Sequence, residues 1–109
     1  MTPRGYPTKL SISLISQLAP LTAAVAKRDR DLASQLKRAA SSVSLNIAEG
    51  SRVTGGNRLQ RFHTAAGSAR ETLAALQVAT AWGYVDAKAT EEPAEMLDRI
   101  GAMLYRLTH

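Results

Sequence analysis

Two carboxylates, Glu49 and Glu71, and one histidine, His63, are the side chains of this sequence whose chemistry could go beyond packing. Paired carboxylates can divide the work of a general acid and a general base, and histidine can carry a proton near neutral pH. Their setting argues for neither. No histidine stands three residues after either glutamate, as the Glu-x-x-His pattern of carboxylate-held metals would require. His63 lies between Phe62 and Ala66 with no nucleophile spaced to use it, so it reads as a surface or boundary residue of a helix. His63 and His109 are too few and too isolated for a histidine zinc site, and the absence of cysteine excludes disulfides and thiolate ligands. The expectation is a protein that is not an enzyme, with no catalytic residue, no metal and no cofactor.

The glutamates fit a structural pattern better. Arg38, Ser42, Asn46 and Glu49 step by four, four and three residues and share one helical face. Arg61, Ala65, Ser68 and Glu71 or Thr72 form a similar stripe on the next helix. Facing each other, the stripes would let Arg38 meet a carboxylate and Asn46 bond to backbone or to Ser68. An amide buried there without a partner would cost about 1–3 kcal/mol. The expected structural seam is Arg38, Ser42, Asn46, Glu49, Ser68 and Glu71.

Charge offers a second lead. The 109-residue chain has a net charge of +5, and all of that excess lies between Lys27 and Arg61. Basic clusters attract phosphate polymers. Lys27, Arg28, Arg30, Arg52, Arg58 and Arg61 are the candidate nucleic-acid contacts. Aromatic residues make up only 5% of the chain, so binding is expected to follow the phosphate backbone with little base selectivity. The plainer reading of the same charges is a solvated face.

These residues need helices to position them. Apolar residues make up 45% of the chain and alanine is abundant, which favours closely packed helices in one domain spanning residues 1–109. Pro3, Gly5 and Pro7 predict a loose arm over 1–7. Helix 1 is expected from about Thr8, with a stripe of Leu14, Leu18, Leu21 and Val25 and a kink near Pro20. Asp29 or Asp31 can cap helix 2, which presents Leu32, Leu36, Ala39, Val43 and Ile47. Gly50 is expected to end that helix in the left-handed conformation.

Asn57 is the expected cap of helix 3, whose seam reads Leu59, Phe62, Ala66, Ala69, Leu73 and Leu76. A second stripe on it, Ala75, Val78 and Trp82, suggests a further packed face, and Gly83 ends the helix. Helix 4 is expected from Asp86 or Thr90, with Pro93 in its first turn and Leu97, Ile100, Leu104 and Leu107 inward. The Gly55-Gly56 loop lacks the lysine and hydroxyl residue of a P-loop, and no strand precedes it. No apolar run is expected to reach the length of about 18 residues that a membrane span needs. The opening MTPRGYPTKL has no signal-peptide core. A cytoplasmic protein without membrane contact is expected.

The stretches DLASQLKRAASSVSLNIAEGSR and RLQRFHTAAGSARETLAALQVATAWGYV resemble the bacterial four-helix-bundle proteins associated with intervening sequences of 23S rRNA genes. The likeness covers roughly residues 31–85 and places the family's motif on Gln35, Arg38, Ala39, Ser42, Asn46, Ala48, Glu49, Gly50, Phe62, Ala66, Gly67, Ser68 and Glu71. It implies an all-α, antiparallel up-and-down four-helix bundle assembled into a ring-like homo-oligomer, a pentamer. It also implies a distant relation to the accessory variability protein of retroelements, which works with a reverse transcriptase and nucleic acid.

Two functions follow from these expectations. One is an oligomeric module that binds RNA, DNA or a nucleic-acid-handling partner such as a reverse transcriptase. The other is a structural or protein-interaction scaffold with no nucleic-acid ligand, using Trp82 and Tyr84 as interface anchors.

Overall fold

The computed structural model describes residues 6–109 and is all-helical: α1 Tyr6–Ala26, α2 Arg30–Gly50, α3 Gly55–Ala81 and α4 Glu91–Thr108, with a short 3-10 turn at Lys88–Thr90 before α4. No strand occurs among the described residues. Short connections force successive helices to run antiparallel. The cross-helix pairs agree with this order. Ser11 meets Ser44, Ser42 meets Ser68, and His63 meets His109. α2 and α3 form the most extensive pair, and α4 closes the bundle against α1 and α3.

The core is aliphatic. Leu14, Leu36, Ile47, Leu76, Ile100 and Leu104 are fully buried, and Phe62 is the one large aromatic ring among them. Leu14, Leu18 and Val25 of the expected α1 stripe are buried, with Leu21 packed at the edge. Pro20 lies inside α1 on its exposed side, and the helix continues through it. α1 also has an 18-residue window of mean hydropathy 1.3, long and apolar enough for a membrane span by length and composition. This differs from the expectation, because the serines, Gln17 and Thr22 that interrupt the apolar residues of α1 carry no charge and lower its mean hydropathy only modestly. Part of this apolar surface packs into the bundle through Leu10, Leu14, Leu18 and Val25.

Several helix ends differ from the expectation. Tyr6 and Pro7 already belong to α1, because proline suits a first turn that needs no amide donor. The rest of the expected arm, residues 1–5, lies outside the described residues. Asp29 is the α2 cap, its Oδ1 accepting from the Leu32 amide at 2.9 Å. α3 begins at Gly55 after Thr54, three residues before the anticipated position, so Asn57 falls inside its first turn. Gly55 has φ +68°, and this lets the chain turn directly into the helix. Glycine alone enters that region without steric cost. Gly83 behaves as expected. Its φ is +78°, and the Tyr84 amide reaches back to the Ala79 carbonyl at 2.9 Å, the closure usual at a glycine-ended helix.

Gly50 is different. It is the last helical residue of α2, has no positive φ and is buried. A Cβ on it would fall 2.6 Å from Phe62 Cε1 and 3.2 Å from Arg61 Cβ. Its small size, and not left-handed freedom, is what this position uses.

The buried face of α3 is also rotated from the predicted seam. Phe62, Ala65, Ser68, Ala69, Thr72, Ala75, Leu76 and Ala79 face inward, while Leu59 is 43% exposed and Ala66 and Leu73 sit at the boundary. Leucine spacing misplaced the face because small residues mark the closest approach of α2 and α3. Ser68 and Thr72 can be buried there because their hydroxyls find partners. In the second stripe, Ala75 is buried, whereas Val78 and Trp82 point to solvent.

Candidate nucleic-acid interface

The six basic residues singled out from the sequence do not form one surface. The 21-residue α2 starts at Arg30, just after Lys27 and Arg28, and ends just before Arg52, with Arg58 and Arg61 in the first two turns of α3. At about 1.5 Å per residue, that separates the two groups by roughly 30 Å, at opposite poles of the bundle. A cluster in sequence has become two clusters in space because a straight helix joins them.

The first pole holds the α1–α2 turn and the α3–α4 connection. Arg28 lies over the Tyr84 ring, 5.6 Å from its centroid, which joins the two connections by a cation–π contact. Acidic residues crowd this pole: Asp29, Asp31, Asp86, Glu91, Glu92 and Glu95. Asp29 is engaged as the α2 cap, and Glu92 accepts from Gln17 Nε2 at 2.9 Å. Over this half of the bundle, acidic and basic side chains are equal in number. Lys27, Arg28 and Arg30 are exposed but stand in a neutralised field.

The second pole holds the α2–α3 turn, the start of α1 and the end of α4. Among the described residues, Arg52, Arg58 and Arg61 are joined there by Lys9 from α1 and Arg106 from α4, against one acidic side chain, Glu49. Arg58 packs over the Phe62 ring at 5.3 Å. The guanidinium itself is held over the ring by a cation–π contact and keeps its charge. Lys9 and Arg106 escaped the sequence reading because they sit near opposite ends of the chain. The up-and-down topology, already predicted, was the signal that could have brought them together.

Of the six expected seam residues, Ser42, Asn46 and Ser68 join in a hydrogen-bonded seam, with partners that differ from the expected ones. The Ser42 and Ser68 hydroxyls lie 2.7 Å apart across the α2–α3 interface. Asn46 Nδ2 donates to the Ser42 carbonyl at 2.9 Å and to its hydroxyl at 3.1 Å, and Asn46 Oδ1 accepts from Arg61 at 3.4 Å. Asn46 therefore reaches Ser68 only through Ser42. Thr72 donates to the Ser68 carbonyl at 2.8 Å. A second bridge, between the buried Ser11 and Ser44 hydroxyls at 3.0 Å, carried no sequence signal because serine on an apolar stripe looks like a simple small residue.

Arg38, Glu49 and Glu71 are exposed at the edges of the seam. Arg38 and Glu71 border one groove beside Ser42 and Ser68, and Glu49 borders another with Asn46 and Arg61. Glu71 lies ten residues beyond Arg61 along α3. That is about 15 Å of helix, so the two glutamates occupy separate places. Among the described residues, no three His, Cys, Asp or Glu side chains gather as a metal-binding group.

Comparison with known proteins agrees with this architecture. Residues 8–106 match the family model described as 23S rRNA-intervening sequence protein. A crystal structure from Bacteroides thetaiotaomicron, of a protein with unknown function from the S23 ribosomal protein family, superposes with a TM-score of 0.85. The superposition covers 94% of this chain and 97% of that one at 16% identity, a likeness of fold. No curated protein gives a significant match.

Proposed function

Because the chain belongs to the 23S rRNA-intervening sequence protein family, we propose that it is a non-enzymatic, oligomeric helical module that binds nucleic acid through its second pole. The observation that carries this reading is the segregation of charge. Among the described residues, Lys9, Arg52, Arg58, Arg61 and Arg106 share one end of the bundle with a single acidic side chain, while the other end is balanced. Phosphate polymers respond to such a local excess far more than to net charge spread over a surface.

Assembly would strengthen a modest patch. In a homo-oligomer, the pentamer implied by the family resemblance, several basic poles would engage one polymer and raise affinity by avidity. Exposed apolar side chains such as Ile12 and Leu45 are compatible with burial between subunits. A nucleic-acid-handling protein, a reverse transcriptase for example, would be the natural further partner of such a complex in the cytoplasm.

The test is binding of labelled RNA and DNA over a salt series, with the solution mass measured in parallel. Replacing Arg52, Arg58 and Arg61 together by Gln should weaken binding and flatten its salt dependence. The matching change at Lys27, Arg28 and Arg30 should have little effect. Absence of binding at low salt would remove the nucleic-acid reading.

A second reading, a scaffold without nucleic acid, draws on Trp82. This side chain is 68% exposed and stacks on Tyr84 with ring centroids 6.4 Å apart. Trp is an effective interface anchor. Specific recovery of a protein partner free of nucleic acid, lost in Trp82→Ser, would favour it.

A further inference from the structure

We propose that the Tyr105–His109 stack and the cleft beside it receive one unpaired nucleobase of a single-stranded nucleic acid. This rests on the nucleic-acid reading and adds to it a contact with a base. α4 turns Met103 and Leu104 into the core and leaves the Tyr105 ring 61% exposed. The ring is held in place, because the His109 imidazole stacks on it at 3.9 Å with an interplanar angle of 16°. His63 of α3 meets His109 edge-on at 6.4 Å. A flat platform is thus displayed on the half of the bundle that carries the positive charge.

A cleft of about 240 Å³ opens between α3 and α4 next to this platform. It falls below the roughly 300–1,000 Å³ of pockets that enclose drug-sized ligands, and suits a single flat ring. Ala66 and Gly101 leave it room, and a Cβ on Gly101 would meet nothing within 4 Å. Arg70 and Asp98 border it. Together they offer donors and an acceptor, the two kinds of group that the edge of a base requires. Arg70 at the cleft's edge and Arg106, next to Tyr105 on α4, are the nearby cations for the phosphates of the flanking nucleotides.

The other exposed aromatic pair does not share this setting. Trp82 and the half-buried Tyr84 lie at the charge-balanced pole, where Glu91, Glu92 and Glu95 offset the nearby basic side chains and a phosphate chain meets no net attraction. Stacking is blind to sequence but needs a base out of its duplex. The site therefore favours single strands over double strands, RNA and DNA alike where only the base is read.

The experiment compares a labelled single strand with a duplex of the same length, as RNA and as DNA, by fluorescence anisotropy at low salt. Wild-type protein, Tyr105→Leu and Tyr105→Trp are used, with circular dichroism confirming that the variants fold. Base–aromatic stacking worth about 1–3 kcal/mol corresponds to roughly 5- to 150-fold in affinity. Tyr105→Leu should lose at least about fivefold for single strands, with duplex binding unchanged, and Tyr105→Trp should retain single-strand binding. Equal loss on both forms, or no loss on either, overturns the base contact while leaving the basic pole standing. No binding of either form by the wild type overturns both readings.

Discussion

Gly50 and Phe62 touch so closely that no other residue fits at position 50 without movement. A Cβ there would lie 2.6 Å from one ring carbon of Phe62 and 2.8 Å from another. The ring is itself buried, with Arg58 over it. The contact fixes how α3 leaves the α2–α3 turn, and so where Arg52, Arg58 and Arg61 stand relative to α2.

Gly50→Ala should destabilise the fold by about 1–3 kcal/mol, the usual cost of overpacking. Gly101→Ala supplies the contrast. A Cβ at Gly101 has open space inside a helix. That change should stabilise by about 0.5–1 kcal/mol. Urea unfolding followed by circular dichroism would show the opposite signs. A neutral Gly50→Ala would mean that the turn is looser than the contact implies.

The Ser42–Ser68 bridge should behave as a coupled unit. Ser42→Ala removes a partner from both Ser68 and Asn46. It should cost about 1–3 kcal/mol, the penalty for stranded polar groups. Ser68→Ala made in that background should cost much less than it does alone. A double-mutant cycle measures the coupling, and additive losses would show that the hydroxyls act independently.

Asp29 and Asp31 separate a cap from a bystander. Asp29→Ala removes the acceptor of the Leu32 amide and should cost about 1 kcal/mol. Asp31→Ala, in the first turn and exposed, should cost a few tenths, by loss of its interaction with the helix dipole. Thermal or urea unfolding distinguishes them, and equal effects would argue against the cap.

Lys9→Gln and Arg106→Gln test residues joined to the basic pole only by folding. Each should reduce the slope of log affinity against log salt by about 0.7–0.9 for every phosphate no longer neutralised. Lys88→Gln, at the neutral pole, should leave the slope unchanged. Binding isotherms at several salt concentrations provide the measurement, and equal responses at the two poles would contradict a polar charge distribution.

Helix number, order and several ends were legible in the sequence because they rest on local physics. Leu14, Leu18 and Val25 repeat at the helical period, Asp29 offers an oxygen to a first-turn amide, and Gly83 tolerates positive φ. The resemblance through NIAEG and GSARE also pointed to the family. Gly50 misled because a glycine near a helix end usually signals a left-handed cap, and only a neighbouring ring shows another use. Leu59 misled because a leucine in period signals burial, whereas small residues set the interface where helices come closest.

The sequence by itself determined that four amphipathic helices would form and that a stretch between Lys27 and Arg61 would hold the net charge. Both are properties of residues close together in the chain. Tertiary structure decided which charges act together. The length of α2 separates Arg28 from Arg58, and antiparallel packing brings Lys9 and Arg106 toward the Arg58 end. The field near a surface depends on distance through space, and only the fold sets that distance.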